Sequence, residues 1–215
     1  MDRADPATWD RLARRYDAQE RLELRAIDTA IRLAAPAADE RLVDLGTGTG
    51  LLLRRLAAQP QRPRAAIGID RSGGMLARAA PLAPGCSVLQ ADARAVPLPD
   101  GWADVVTCAY LLHLLGRQER HDVLSAARRL LRDTAAARLV VVTIWVDERR
   151  PPGRLSGYAL RLAAHVRPRK WGGLRPLDPC EDLAAAGFEV TRRVVLTRGG
   201  YPSLVVAATP PLRRS

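Results

Sequence analysis

A glycine-rich run at residues 44–50 is the part of the sequence best suited to holding a nucleotide-like ligand. It reads DLGTGTG and lies between an apolar strand pattern and a helical pattern. Glycines in such a loop permit a tight turn and a close approach of the backbone to a ligand, beside the positive end of a helix dipole. By itself, a loop of this kind leaves several nucleotides open.

Two features of this loop narrow the choice of ligand. The dinucleotide fingerprint G-x-G-x-x-G would require glycine where Leu51 stands, and no Gly-Lys-Ser/Thr follows, which excludes the phosphate loop of NTPases. Asp44 would repel a pyrophosphate but can pair with a ligand ammonium. The loop therefore favours a nucleoside that carries positive charge.

Two further acidic residues stand where predicted strands end. Asp70 lies 20 residues past Gly50, at a position from which a carboxylate accepts hydrogen bonds from ribose hydroxyls. Asp92 closes the third predicted strand and can accept a hydrogen bond from the exocyclic amine of adenine. Both residues also have a simpler interpretation as solvated turn aspartates, because Asp is common in turns.

His113 and Tyr110 are the candidates for the reacting centre. They follow the fourth predicted strand at the carboxyl edge of the sheet, where substrates bind in such folds. His113 can deprotonate a hydroxyl, polarise a substrate or serve for positioning only, and Tyr110 is a comparable candidate for substrate contact. His165 is a third candidate, whereas His121 is predicted to be an exposed helix residue.

Taken together, these motifs resemble the class I S-adenosylmethionine-dependent methyltransferases, most closely the small enzymes related to quinone biosynthesis. The resemblance covers roughly residues 9–209 and is carried by segments 44–50, 68–70, 75–76, 91–93, 98–100, 104–106 and 185–188. It implies a Rossmann-like methyltransferase fold with S-adenosylmethionine as the cofactor. Because a sulfonium donor is already activated, proximity and desolvation can supply much of the rate, and a dedicated base is not obligatory.

The resemblance also implies which residues line the cofactor pocket. In the family, the loop backbone holds the methionine portion, the acidic residue after the second strand binds ribose, and an Asp-Ala pair contacts adenine. A tyrosine of the N-terminal helix often reaches the cofactor carboxylate, and Tyr16 corresponds to it, although it equally fits a core stripe. The implied cofactor-binding residues are Tyr16, Asp44, Gly46, Thr47, Gly48, Gly50, Asp70, Arg71, Met75, Asp92, Ala93 and Ala109. No metal site is expected.

The elements that must position these residues alternate between strands and helices. Strands are predicted at residues 41–45, 65–70, 87–90, 103–108 and 139–145, and helices at 51–58, at 75–80 and around 123–131. This alternation indicates a parallel, doubly wound α/β sheet. Two helices are predicted to precede it within residues 1–36. The second of them has Ile27, Ala30, Ile31 and Ala34 on its inner face and is stopped by Pro36.

The end of the chain follows a different pattern. A helix is predicted from Asp178, with Glu181 as a capping-box partner, to a C-cap at Gly187. Residues 189–197 and 203–209 then form strands joined by a glycine pair. They must be antiparallel, because a parallel return needs a crossover of about a dozen residues. The predicted fold is thus a mostly parallel seven-stranded sheet with a C-terminal antiparallel hairpin, in one domain over residues 1–215.

Composition fits a single cytoplasmic domain. The chain has 215 residues, 47% of them apolar, which is enough for one sizeable core. No stretch approaches the roughly 20 apolar residues of a membrane span, and the N-terminus lacks the apolar core of a signal peptide. The three scattered cysteines form no Cys-x-x-Cys pair, so we expect buried or half-buried free thiols.

The net charge of +11 is concentrated in one informative segment. All but one of the 34 basic residues are Arg, which is typical of a GC-rich genome, so much of the charge need not reflect a partner. Residues 149–175 contain eight basic residues and no Asp or Glu, and we interpret residues 147–177 as a lid-like insertion. Its arginines can face an anionic substrate, contact an anionic polymer or membrane surface, or form a solvated face.

Three functions are compatible with the sequence. The first is O- or C-methylation of a small organic substrate, whether anionic or aromatic and quinone-like, in a biosynthetic pathway. The second is methylation of RNA, which the charge favours. Against it, the fourth strand ends TCAY rather than in an Asn/Asp-Pro-Pro-aromatic motif, and Cys180 is misplaced for a base-C5 nucleophile. The third is a non-catalytic subunit that binds the cofactor. The oligomeric state stays open.

Overall fold

The computed structural model describes residues 17–79, 82–145, 176–198 and 201–211. Their elements alternate between strands and helices as the sequence predicts. In chain order they are α1 Asp17–Ala34, β1 Arg41–Leu45, α2 Leu51–Ala57, β2 Ala65–Asp70, α3 Gly73–Ala79, β3 Cys86–Gln90, β4 Val105–Ala109, a 3-10 turn Leu112–Leu114, α4 Arg117–Leu130, β5 Arg138–Ile144, α5 Cys180–Ala185, β6 Glu189–Arg198 and β7 Tyr201–Thr209.

The seven strands form one sheet in the order β3-β2-β1-β4-β5-β7-β6. The first five are parallel, whereas β7 runs antiparallel to both β5 and β6. The predicted fold class, a mostly parallel sheet closed by an antiparallel hairpin, is therefore confirmed. The glycine pair predicted to join the hairpin lies outside the described residues. Strand order reverses between β1 and β4, and ligands bind beyond the carboxyl ends of the strands at such a switch point.

Most observed elements differ from the predicted bounds by one or two residues, and at the start of β4 and the end of α4 the difference has a local reason. Ala103 was expected to begin the fourth strand, but its N–H donates to the carbonyl of Leu130 at 2.9 Å, and it forms only an isolated bridge to Leu131. Leu131 was expected to be helical and instead follows the end of α4 with extended backbone. The last helix begins at Cys180, whose N–H donates to Asp178 Oδ1 at 3.2 Å.

Apolar layers cover both faces of the sheet and fix where its strands end. The predicted inner face of α1 is at most 6% exposed and packs, together with α2, on one face. Helices α4 and α5 pack on the other face. Val105, Val106 and Cys108 of β4 are at most 1% exposed, which confirms burial on both sides of the strand. Burying one such side chain contributes about 2 kcal/mol, so packing from both faces holds the strand ends in place.

Three other expectations concern membrane spans, the cysteine thiols and the exposure of His121. None of the helices in the described ranges has both the length and the apolar composition to cross a bilayer. The thiols of Cys86, Cys108 and Cys180 are free and buried or half-buried, as predicted. His121 lies on α4 with 54% of its side chain exposed, also as predicted.

Candidate functional site

The glycine loop follows β1 directly and turns through positive φ angles at Gly46 (73°), Gly48 (56°) and Gly50 (76°). A Cβ at Gly50 would lie 2.9 Å from the Cβ of Ala79, and one at Gly46 would lie 3.1 Å from the side chain of Leu111. A Cβ at Gly48 would meet nothing within 4 Å. Packing therefore demands two of the glycines, while Gly48 faces open space that a ligand can enter.

The N–H groups of this loop are used inside the protein. Those of Gly46, Thr47 and Gly50 donate to backbone carbonyls at 2.8–2.9 Å, and that of Gly48 donates to Asp70 Oδ2 at 2.9 Å. A loop that holds phosphate needs such donors free and pointing at the ligand. This loop instead offers space beside acidic side chains, an arrangement suited to a cation.

Asp44 supplies negative charge at the base of the loop. It is 1% exposed, and its Oδ1 accepts a 2.7 Å hydrogen bond from Thr107 Oγ1 on the neighbouring strand β4. Burial raises the pKa of Asp44 to about 6, although the bond from Thr107 opposes the rise. A buried carboxylate gains most from a positive charge beside it, which fits the predicted pairing with a cationic ligand.

Asp70 ends β2 and links the loop to α3. Its Oδ2 accepts from the N–H of Gly48 and its Oδ1 from the N–H of Ser72, both at 2.9 Å. Burial raises the pKa of Asp70 while these backbone bonds lower it. Each carboxylate oxygen keeps a second lone pair. Ribose binding therefore remains compatible with the geometry and stays a prediction.

Thr47 and Gly68 form a contact that the sequence pattern did not indicate. The side chain of Thr47 lies over β2, where a Cβ built on Gly68 would come within 2.6 Å of Thr47 Oγ1. This Oγ1 is buried and makes no hydrogen bond of normal geometry, but it lies close enough to Asp44 to help lower the pKa of that carboxyl. The contact requires glycine in the strand beside the loop and places a polar atom at the base of the loop.

Asp92 forms an ion pair with a residue two positions away in the sequence. The guanidinium of Arg94 donates to both of its oxygens, with the shortest bond at 2.7 Å, and also to Glu119 at 3.1 Å. The hydrogen bond from Arg94 holds the pKa of Asp92 below its usual value. An adenine amine would have to share this carboxylate with Arg94. The role of Asp92 therefore stays a prediction, and Ala93 lies buried next to it.

The remaining predicted pocket residues flank the same edge of the sheet. Arg71 is half-buried after β2, Met75 is buried on α3, and Ala109 is half-buried at the end of β4. Trp145 is half-buried beyond β5, with the guanidinium of Arg193 at 5.9 Å from its ring. Other predicted features lie outside the described residues: Tyr16, His165 and nearly all of the insertion at 147–177.

Tyr110 and His113 lie together beyond β4. Tyr110 adopts a φ of 57°, its hydroxyl shares a 2.8 Å hydrogen bond with Ser203 Oγ, and its ring stands edge-on to His113 with centroids 6.2 Å apart. Burial raises the pKa of Tyr110, so its phenol stays protonated. Burial lowers the pKa of His113 to about 3, which keeps its imidazole neutral. A base of that strength is weak at neutral pH, so this environment favours the positioning alternative.

Three polar residues near the site were missed by sequence reasoning. Glu23 had a readable signal, because it lies three and four residues before Ala26 and Ile27 on the apolar face of α1, yet is acidic and 3% exposed. For Thr107 and Ser203 the sequence contains no such signal. A hydroxyl inside an apolar strand reveals its partner only after the strands are paired.

Comparison with known proteins agrees with this geometry. Residues 42–134 match a family model described as a methyltransferase domain. The demethylmenaquinone methyltransferase of Thermus thermophilus is 40% identical over 112 residues, which are 47% of this chain and 50% of that protein. A ubiquinone/menaquinone biosynthesis C-methyltransferase of Geotalea uraniireducens is 31% identical over 137 residues, covering 56% and 58% of the two chains.

The fold is shared with a solved methyltransferase structure over nearly its whole length. The putative methyltransferase of Haloferax volcanii, solved in complex with the activator Trm112, superposes with a TM-score of 0.73 at 17% identity and covers 97% of this chain and 98% of that one. At this identity the likeness concerns the fold alone. The chain spans about half the length of the curated relatives it matches.

Proposed function

We propose that the chain transfers a methyl group from S-adenosylmethionine to a small organic acceptor, since residues 42–134 match a methyltransferase domain family. The observation that carries this proposal is the chemistry of the glycine loop. Its N–H groups at Gly46, Thr47, Gly48 and Gly50 are already bonded, while a buried carboxylate, Asp44, lies at its base. Such a loop suits a cationic nucleoside rather than a phosphate.

The residues present fit this cofactor. Gly48 borders open space that a ligand can enter, and the buried hydroxyl of Thr47 lies near Asp44 at the base of the loop. Asp44 would offset positive charge on the methionine portion, and Asp70 would accept hydrogen bonds from ribose hydroxyls while holding Gly48 and Ser72 in place. Asp92 and Ala93 would border adenine. When bound, S-adenosylmethionine supplies a methyl group that is already activated on a sulfonium sulfur.

The chain would contribute mainly position and exclusion of water. Leu111 packs against Gly46, and Met75 and Leu112 are buried beside the loop and the end of β4. A desolvated setting strengthens the attraction between a cation and the carboxylates around it. His113, held neutral by burial, would orient the acceptor rather than remove its proton.

We further propose an aromatic, quinone-like acceptor that is methylated at carbon. The support is the similarity to two relatives named for demethylmenaquinone and for ubiquinone/menaquinone biosynthesis. These matches extend over about half of each relative, so the acceptor is inferred from the shared half only. The interpretation of residues 147–177 as a lid-like insertion stays a prediction, because all but the last two of these residues lie outside the described ranges.

Calorimetric titration of S-adenosylmethionine into the protein tests the proposal. We expect saturable binding that Asp70→Ala weakens by about tenfold or more, because a charged hydrogen-bond acceptor is lost. Asp100→Ala, which removes an exposed carboxylate paired with Arg129, is the matched control and should bind normally. Absence of binding by the unmodified protein refutes the proposal. Binding without formation of S-adenosylhomocysteine from any tested acceptor would instead indicate a non-catalytic cofactor-binding subunit.

A further inference from the structure

A second group of buried polar side chains lies at the carboxyl edge of the sheet, apart from the glycine loop. We call it the edge cluster, and its members are Glu23, Tyr110, His113, Tyr201 and Ser203. Each is at most 7% exposed. Tyr110 and His113 follow β4, whereas Tyr201 and Ser203 begin β7, which is antiparallel and therefore starts at the edge where β4 and β5 end. Glu23 comes from α1.

Specific contacts join the members of the edge cluster. The hydroxyls of Tyr110 and Ser203 share a 2.8 Å hydrogen bond across 93 residues of sequence. The hydroxyl of Tyr201 donates to Glu23 Oε1 at 3.3 Å, and its ring lies 5.9 Å from the ring of Tyr110. His113 stands edge-on to Tyr110, with ring centroids 6.2 Å apart. Tyr110 thus contacts two aromatic rings, and its hydroxyl is directed at Ser203.

Two features distinguish the edge cluster from ordinary core packing. Tyr110 holds a left-handed φ of 57°, a costly conformation for a residue with a side chain, and such strain concentrates at binding and catalytic sites. His113 is 4% exposed, and its Nδ1 has no hydrogen-bond partner. An unpaired buried nitrogen also costs free energy. Both costs are offset if a ligand is positioned there.

The chemistry of the edge cluster favours an uncharged ligand oxygen. A pair of hydroxyls can both donate and accept, and a neutral imidazole can do either, so together they match an enol, phenol or carbonyl oxygen. At this edge of the sheet, the buried charged side chains of the described ranges are the carboxylates Glu23 and Asp44, and no described arginine or lysine is buried. Negative charge of this kind disfavours an anionic ligand group.

We propose that the hydroxyls of Tyr110 and Ser203, with His113 beside them, bind an uncharged oxygen of the methyl acceptor, and that Tyr201 and Glu23 position the ring of Tyr110. The inference rests on the proposed methyl transfer. It assigns Ser203, a residue of the terminal hairpin, to the acceptor side of the site. The hairpin would then contribute to substrate specificity as well as to closing the sheet.

The test measures steady-state methylation of naphthohydroquinone, the reduced form of naphthoquinone, by the full chain. Tyr110→Phe and Ser203→Ala each remove one hydroxyl, and we expect each to raise the KM for the acceptor about tenfold, with a smaller change in kcat. Ser203→Thr keeps a hydroxyl and should restore most of the affinity. The affinity for S-adenosylmethionine should change much less than the KM in all three variants, because the hydroxyls of Tyr110 and Ser203 bond to each other and not to the glycine loop.

A matched control separates binding from structural support. Thr143 carries a hydroxyl that is fully buried and bonded to the carbonyl of Leu177 at 2.9 Å. By strand alternation it shares a face of β5 with Leu139 and Val141, and this face is opposite to the one that packs with Tyr110 and Tyr201. Thr143→Val should lower thermal stability without changing the KM. If Tyr110→Phe fails to fold, the comparison of Ser203→Ala with Ser203→Thr carries the test.

The outcomes are distinguishable. An unchanged KM in folded Ser203→Ala and Tyr110→Phe refutes the assignment, and so does a wild-type protein that binds S-adenosylmethionine but neither binds nor methylates naphthohydroquinone. Equal kcat/KM for naphthohydroquinone and for its carboxylic acid refutes the preference for an uncharged group. A wild-type protein that fails to bind S-adenosylmethionine refutes the proposed function itself, and the assignment with it.

Discussion

Lowering the pH from 7 to 5 should weaken the binding of S-adenosylmethionine about tenfold, because Asp44 gains a proton over that range. Asp44 is 1% exposed, and burial raises its pKa to about 6 even though Thr107 donates a hydrogen bond to it. At that pKa the ionised fraction falls from about nine-tenths at pH 7 to about one-tenth at pH 5. A cationic cofactor binds the ionised form, so its affinity should follow that fraction.

The raised pKa of Asp44 also fixes the direction of a stability effect. The folded protein holds the proton of Asp44 more tightly than the unfolded chain, where the pKa is 3.8. Ionisation between these two pKa values therefore costs the folded state up to about 3 kcal/mol, a cost absent at lower pH and complete above about pH 6. Asp44→Asn removes the cost, so it should raise the melting temperature at pH 7 while weakening cofactor binding.

Isothermal titration at pH 5, 6 and 7, in pairs of buffers with different ionisation enthalpies, measures the Kd and the number of protons released on binding. Near pH 6 we expect binding to release about half a proton per cofactor from Asp44. Asp104→Asn is the control, because Asp104 is also buried but lies at the amino edge of the sheet and pairs with Arg132. An equal Kd at pH 5 and pH 7, or an unaltered pH dependence in Asp44→Asn, would refute the reasoning.

Two predictions concern stability. Gly68→Ala places a Cβ 2.6 Å from Thr47 Oγ1, so the loop must shift. We expect a loss of about 1–3 kcal/mol in denaturant unfolding, together with weaker cofactor binding. Gly73→Ala, whose Cβ meets only a flexible side chain at 3.4 Å, should change little. Arg138→Ala removes bonds to both carboxylate oxygens of Glu40, the shorter at 2.7 Å, and should cost about 2 kcal/mol at neutral pH.

The Arg138 prediction also has a pH signature. The bond from Arg138 lowers the pKa of Glu40 below 4.5, so this stabilisation is present above that pH and is lost as the pH falls through the lower folded value. The difference in unfolding free energy between wild type and Arg138→Ala should therefore shrink in acid. A difference that stays constant with pH would contradict a role for the ion pair, and normal binding by Gly68→Ala would contradict the contact with Thr47.

Much of the fold was predictable because its signals are local. The strands β1 and β2 were placed at their observed bounds, since each is an apolar run that ends at a loop or acidic residue. The hairpin followed from two strands too close for a crossover. The start of β4 was wrong at Ala103, because its N–H is bonded to the end of α4, a contact between segments that no local pattern records.

The candidate site likewise contains some residues that local sequence signals indicated and others that they did not. Asp44 and Asp70 were found from their spacing to the glycines, because one loop and the next strand end position both. The pairing of Tyr110 with Ser203 was not found, since it joins residues 93 positions apart. The engagement of Asp92 by Arg94 was within reach of the sequence, because Arg94 stands only two positions away.

The sequence by itself determined the order of the elements, the turn chemistry of the glycine loop and the exclusion of the common phosphate motifs. Periodicity, glycine placement and residue spacing are short-range properties, so they can be read directly from the amino-acid sequence. Only the tertiary structure decided which carboxylates are buried, that Asp44 holds its proton near pH 6 while the pKa of Asp92 falls, and that His113 stays neutral. Desolvation and hydrogen bonding depend on atoms brought together from distant segments, and folding alone assembles them.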